Sequence, residues 1–253
     1  MPLFIFIILL LSSFSVCAHF QVLLPNTDMV TTEMDHRLQL TLMFTHPMQQ
    51  GPLMDMKPPV QFGVLVDGTQ HDLRAQLKAQ QQKGNTFFTS HYRLKKPADY
   101  VFFVEPQPYW EATEGRLIIH YTKVIVDAFG AESGWDAEVG FPVEIEPLVR
   151  PYGLWQGNVF RGIVKRAGQP VAFATVEVEY WNEDKQITIG ADPLITQVIK
   201  TDAQGSFTYA MPQAGWWGFA ALVEADKPML NPQGKAVPVE LGAVIWVKTY
   251  PIK

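Results

Sequence analysis

Cysteine is nearly absent from the 253 residues: Cys17 is the only one. An internal disulfide, a Cys-based zinc site and a dithiol redox pair are therefore all excluded. Basic charge is also scarce, with 20 Lys and Arg against 25 Asp and Glu and a formal charge of −5. Neutralising many phosphates needs a concentrated basic surface, so nucleic acid is not an expected partner. The sequence holds no H-E-x-x-H, no G-x-S-x-G and no phosphate-loop pattern, and so offers no ordinary hydrolase or nucleotide signature. A non-enzymatic protein is the expectation. Beyond residue 18 no apolar run is long enough to cross a bilayer. What remains is a chain that is 47% hydrophobic and 12% aromatic, enough to bury a core in one large domain or two modest ones.

Residues 1–18, MPLFIFIILLLSSFSVCA, have the shape of a secretory signal peptide. The apolar run Pro2–Leu11 is shorter than the roughly 18–20 residues of a spanning helix, and the small-residue site Val16-Cys17-Ala18 follows it. Lipidation at Cys17 ranks second, because Val16 stands where Gly, Ala or Ser is usual. An uncleaved membrane anchor is the third reading. Cleavage after Ala18 removes the one thiol and makes His19 the first residue of a periplasmic or secreted protein. A histidine there offers its α-amine and Nδ1 to close a chelate ring on a metal ion. The amine titrates near 8 and imidazole near 6.5, so both yield their protons readily to a competing metal at neutral pH.

From residue 19 onward the pattern is strand. Leu38, Leu40, Leu42, Phe44 and His46 alternate with polar or less apolar neighbours. Runs rich in Val, Ile, Phe and Tyr follow at 61–66, 86–94, 100–105, 117–126 and 139–145, punctuated by Gly and Pro. The stretch 72–83 is rich in Ala, Gln and Lys, but has too few apolar positions to anchor a helix, so a turn or a long hairpin arm is equally open. Pro147–Gly153 reads as a hinge between an N-terminal β-sandwich, 19–148, and a second set of strands, 149–253. In the second set, Gly162-Ile163-Val164, Gly168-Gln169-Pro170 and the Asp202–Gly205 turn before an aromatic strand resemble the small transthyretin-like or carboxypeptidase-regulatory-like sandwich. The expected fold class is all-β, with two β-sandwich domains. That resemblance bears on fold and says almost nothing of function.

Chemistry concentrates in histidine. His46 closes an inward-facing series just before Pro47, where an imidazole can point into a pocket at the rim of a sandwich. His120 shares a strand face with Ile118, Thr122, Val124 and Val126. A buried imidazole needs a hydrogen-bond partner or a metal, since leaving it unpaired costs about 1–3 kcal/mol. Each taken singly is as readily a satisfied core histidine, whereas a meeting of both with His19 makes a site. His36, His71 and His91 fall in polar stretches and read as surface residues. Met43, Met48, Met54 and Met56 form a second cluster, either soft ligands for Cu(I) or ordinary core filler, with Asp55 a harder ligand or a turn residue. The proline-framed segment Glu105–Glu111 presents Tyr109 and Trp110, as a lid or as a plug, and Glu105 and Glu111 are candidates to support a metal from behind.

Several stretches taken together resemble a known family. They are Ala18-His19-Phe20, Phe44-Thr45-His46-Pro47-Met48, the segment Tyr100 to Glu111, His120-Tyr121-Thr122-Lys123-Val124, Arg150-Pro151-Tyr152-Gly153 and Gly215-Trp216-Trp217-Gly218-Phe219. The set is similar to the NikK-like secreted proteins associated with nickel or cobalt uptake. The resemblance implies a periplasmic Ni(II)- or Co(II)-binding accessory of an energy-coupling-factor type importer, whose partners are the ion and a membrane nickel/cobalt permease complex. It carries over to His19, His46 and His120 as metal ligands. The same nitrogens would hold Cu(II) more tightly, so the identity of the ion stays open. A periplasmic copper carrier, an N-terminal-histidine copper oxygenase and an adhesin-like structural protein remain as rivals.

Overall fold

In a computed structural model the described residues are 19–252; the leader assigned to residues 1–18 lies outside them. The fold is all-β, and the helical content among the described residues is three single 3-10 turns, Arg74–Gln76, Glu183–Lys185 and Asp192–Leu194. Strands form three layers. The central sheet runs in the order Gln197–Lys200, Thr175–Tyr180, Gly215–Glu224, Val239–Tyr250, Arg116–Ala128, Ala98–Glu105, Gln61–Val66 and Thr69–Asp72. On one face lies a sheet of Phe20–Pro25, Arg37–Thr45, Asn85–Arg93 and Lys78–Gln82. On the other lies a sheet built on Val143–Pro147, Val159–Arg166 and Ser206–Ala210.

The alternation of side chains along the central strands explains the layering. In Arg116–Ala128, Ile118, Val124 and Val126 enter one core, while Leu117, Ile119, Tyr121 and Ile125 enter the other. Gly215–Glu224 and Val239–Tyr250 do the same: Ala220, Val244 and Trp246 face one way, and Phe219, Ala243 and Ile245 the other. A strand buried on both faces reads as an unbroken apolar run, as these do. Val239–Tyr250 pairs in parallel with Arg116–Ala128, which sets His120 opposite Gly242. The segments before and after Pro147–Gly153 thus meet in the central sheet, and Val143–Pro147 from the first segment also joins the outer sheet built by the second.

Local chemistry follows the sequence closely. The Ala/Gln/Lys-rich stretch is a hairpin arm, Lys78–Gln82 pairing with Asn85–Arg93 around Lys83-Gly84. The Asp202 carboxylate accepts the N–H groups of Gln204 and Ser206 at 2.9 and 2.8 Å, and Gly205 supplies the positive φ that closes the turn. One charge is buried deep in the second core. Lys123 Nζ donates to Glu144 Oε1 at 2.7 Å, and Glu144 also accepts from the backbone of Val139 and Gly140. With its oxygens met in this way the pair is tolerated in an apolar interior.

The central ladder also has an opening. On one side of Arg116–Ala128, residues 116–118 pair with Tyr109–Glu111 and residues 125–128 pair with 98–101. Between them the Pro106–Pro108 turn separates the two partners, and this is the stretch that carries His120.

Candidate metal centre

The geometry begins with strand register. Phe20–Pro25 runs antiparallel to Arg37–Thr45, with Phe20 opposite Thr45 and Gln21 opposite Phe44. Continuing the ladder one step outward puts His19 opposite His46, and their rings lie 4.5 Å apart at 49°. Phe44 stacks on His19 at 5.7 Å, and Tyr109 closes another side at 5.9 Å. His46 is buried, only 6% exposed.

Behind His19 stands a carboxylate. His19 Nε2 lies 3.1 Å from Glu111 Oε2, and the other carboxylate oxygen accepts the backbone N–H of Thr113 at 3.0 Å. Burial and the neighbouring His46 charge depress the His19 pKa to about 4, although Glu111 pulls the other way. Burial raises the Glu111 carboxyl, but the Thr113 hydrogen bonds and the two histidine charges outweigh it and hold the group below its ordinary range. At neutral pH the pair is therefore a neutral imidazole whose Nε2 faces a carboxylate 3.1 Å away, which favours the Nε2–H tautomer. That tautomer leaves a lone pair on Nδ1, the nitrogen next to the main chain. A metal-bound histidine whose other nitrogen is oriented by a carboxylate has this arrangement.

His120 reaches the same region from the central sheet. It is 2% exposed, edge-on to Phe44 at 5.9 Å and to Phe20 at 6.5 Å, so Phe44 touches both His120 and His19. Neither ring nitrogen has a hydrogen-bond partner among the described residues. Glu240 Oε1 lies 3.7 Å from its Nε2, beyond hydrogen-bond length. Gly242 makes room for the ring: a Cβ there would fall 2.2 Å from His120 Cδ2. Burial opposes ionisation of Glu240, but its contacts with the neighbouring His120 ring and the Arg116 guanidinium hold its pKa below the ordinary value. In this conformation no three His, Cys, Asp or Glu side chains among the described residues form a finished metal-binding set. The structure joins His19 to His46 directly and links His120 to them through Phe44.

The methionines divide. Met48, Met54 and Met56 are buried, and Met54 is held by its N–H to the Phe44 carbonyl at 2.8 Å. Asp55 accepts the Thr86 N–H at 2.8 Å and so anchors the loop. Glu105 accepts from Gln61 at 2.8 Å, whereas Glu111 meets His19. Trp216 and Trp217 enter opposite cores as packing. His71 and His91 are exposed, and His36 packs on Phe129 at 4.6 Å, outside the site.

A family profile described as a domain of unknown function, DUF4198, matches residues 16–225. The chain belongs to the DUF4198 family. No functionally curated protein is detectably similar to it. Among solved structures it is similar to the adhesin InvE of Yersinia pseudotuberculosis, at 11% identity and a TM-score of 0.25, over 88% of this chain and 58% of that one. It is also similar to α2-macroglobulin of Escherichia coli, at 10% identity and a TM-score of 0.26, over 91% and 14%. The chain thus spans less than two thirds of either protein, and scores this low carry no argument about function.

Two features of this DUF4198 chain lay beyond the sequence patterns. The strand Phe20–Pro25, which brings His19 to His46, is too short and too close to the leader to stand out by periodicity. Gly242 and Glu240, which flank His120, are brought there by a parallel pairing across more than a hundred residues. A glycine inside the apolar run Leu241–Trp246 was the available signal, since glycine within a strand marks close approach.

Proposed function

We propose that the protein is a periplasmic Ni(II)- or Co(II)-binding accessory of an energy-coupling-factor type importer. The ion is cargo, and no reaction is catalysed. His19, freed by processing, chelates through its α-amine and Nδ1; His46 adds a second imidazole, and His120 joins from across the edge of Phe44. The observation that carries the reading is the 3.1 Å approach of His19 Nε2 to the Glu111 carboxylate beside His46, which favours a proton on Nε2 and a lone pair on Nδ1 for a metal. The unpartnered nitrogens of His120 support it, because a buried imidazole without a partner is costly until something binds it. The sequence resemblance to NikK-like proteins supports the choice of nickel or cobalt and of a membrane permease as the receiving partner. Amine and imidazole nitrogens suit these ions.

A periplasmic copper carrier is the second reading. Met56 lines the same cavity as His120, so a thioether lies within the region that would hold Cu(I). Calorimetric titration of the chain beginning at His19 with Ni(II), Co(II) and Cu(II) tests both. The nickel reading expects binding of Ni(II) or Co(II) at one site, weakened at least tenfold in His46→Ala. Unchanged affinity in His46→Ala removes that residue from the site. Stoichiometric Cu(I) binding with no measurable Ni(II) or Co(II) binding moves the assignment to copper.

A further inference from the structure

The opening beside His120 is a cavity of about 470 Å³, far larger than a bare ion needs and within the range of small-molecule sites. Its walls are mainly apolar and aromatic, with Tyr109, Trp110, Pro108 and Met229 among them. Tyr109 belongs to both places, since it lines the cavity and packs against His19. The cavity therefore adjoins the candidate metal centre.

Two buried polar groups line it and lack partners. One is His120. The other is Gln21, fully buried, whose Oε1 has no hydrogen-bond partner among the described residues. The orientation of that amide is fixed, because its Nε2 donates to the carbonyls of Val22 at 3.0 Å and Met43 at 3.1 Å. A flipped amide would set oxygen against both carbonyls. The acceptor is thus held ready for a donor that the protein does not supply, and leaving such a group unmet costs about 1–3 kcal/mol. Lys57 also lines the cavity, beside Asp55, whose carboxylate is already engaged by the Thr86 N–H.

We propose that the cargo is a metal–amino acid chelate, the cavity holding an α-amino acid with a flat or heterocyclic side chain next to the ion at the histidines. The inference rests on the metal-binding reading above. An amino acid meets each feature of the cavity in turn. Its amine binds the ion and still has an N–H to donate to Gln21 Oε1. One carboxylate oxygen completes the chelate, and the other faces Lys57. Its side chain lies against Trp110 and Pro108. The class is set by the need for an N–H donor, an anionic end and a flat body in one small ligand. A polycarboxylate such as citrate has a hydroxyl donor and anionic ends but lacks the flat body.

Native mass spectrometry of the chain beginning at His19 tests this, with Ni(II) alone, Ni(II) plus L-histidine, and Ni(II) plus citrate as probes. The expected result is a ternary complex of protein, nickel and histidine, and nickel without retained citrate. Leu230 lines the cavity and is 68% exposed, so Leu230→Trp narrows the cavity without disturbing the core. It is expected to lower histidine retention at least fivefold while nickel alone binds as before. Gln21→Leu, checked for folding by circular dichroism, is expected to weaken retention about fivefold, the equivalent of roughly 1 kcal/mol for one hydrogen bond. Nickel bound without histidine, or histidine retention unchanged in both variants, overturns the inference and leaves the nickel reading standing. Failure of the chain to bind nickel in any of the three mixtures overturns the nickel reading itself.

Discussion

Gly242→Ala is the sharpest probe of how His120 is held. The added Cβ would stand 2.2, 2.7 and 2.8 Å from Cδ2, Nε2 and Cγ of the imidazole, all inside contact distance. Phe20 and Phe44 border the ring on two sides, and it is 2% exposed. Overpacking of this kind costs about 1–3 kcal/mol. Gly242 has no positive φ, so the cost is steric and not one of backbone strain. Truncating the ring should relieve it: in His120→Ala/Gly242→Ala the new methyl occupies space that the imidazole vacated. The double variant is therefore expected to be more stable than Gly242→Ala alone, with a coupling of about 1–2 kcal/mol. Urea unfolding of the metal-free protein reads this as a lowered midpoint at unchanged m in Gly242→Ala and a recovered midpoint in the double variant. Two strictly additive substitutions, or a Gly242→Ala midpoint equal to that of the parent, would refute the placement of His120 against this glycine.

Other outcomes follow from the same geometry. Glu111→Gln removes the charge that orients His19, and nickel affinity should fall about 10–100-fold, as for other outer carboxylates of metal-bound histidines, with little change in stability; an unchanged titration isotherm would remove Glu111 from the site. Glu179 is fully buried, its carboxylate accepting the Met48 N–H and the Thr196 hydroxyl, and burial pushes its pKa up to about 7. The folded state thus holds a proton that the unfolded state releases near 4.5. The stabilising contribution is complete below that value and declines as pH rises toward 7, by an amount on the order of 3 kcal/mol. Glu179→Gln should remove that decline, so that parent and variant unfold alike near pH 4 while the variant is the more stable above pH 7. Parallel stability curves across pH 4–8 would show that Glu179 does not titrate in this way.

Periodicity exposed most of the framework. Strands such as Gln61–Val66 and Arg116–Ala128 announce themselves because burial on one face or both dictates which positions are apolar. The all-β class follows directly. The stretch 72–83 remained ambiguous because the strand it contains, Lys78–Gln82, is exposed and carries no burial pattern. For the site, the sequence singled out His19, His46 and His120 by position and offered Glu105 and Glu111 alike as carboxylates to support a metal, of which Glu111 meets His19 and Glu105 meets Gln61. It did not contain their relations. The register that sets His19 opposite His46 depends on a short strand at the leader boundary. The notch for His120 depends on Gly242, distant in sequence and adjacent only through a parallel pairing. Gln21 is a further instance: nothing in Phe20-Gln21-Val22 marks a glutamine whose amide is clamped by two carbonyls with its oxygen unmet. Local patterns report burial, whereas a site is made of contacts between segments far apart in the chain.

The central claim is that the first nitrogen of the chain and the first imidazole act together. The direct measurement is nickel titration of two forms of the protein that begin at His19, one with its α-amine free and one with that amine acetylated. In the acetylated form the amine of His19 is an amide and the six-membered chelate ring with Nδ1 is lost, while Glu111, His46 and His120 are untouched. The account predicts Ni(II) binding by the first form and a loss of at least a hundredfold in the second, roughly 3 kcal/mol. Equal affinity in the two forms would contradict it.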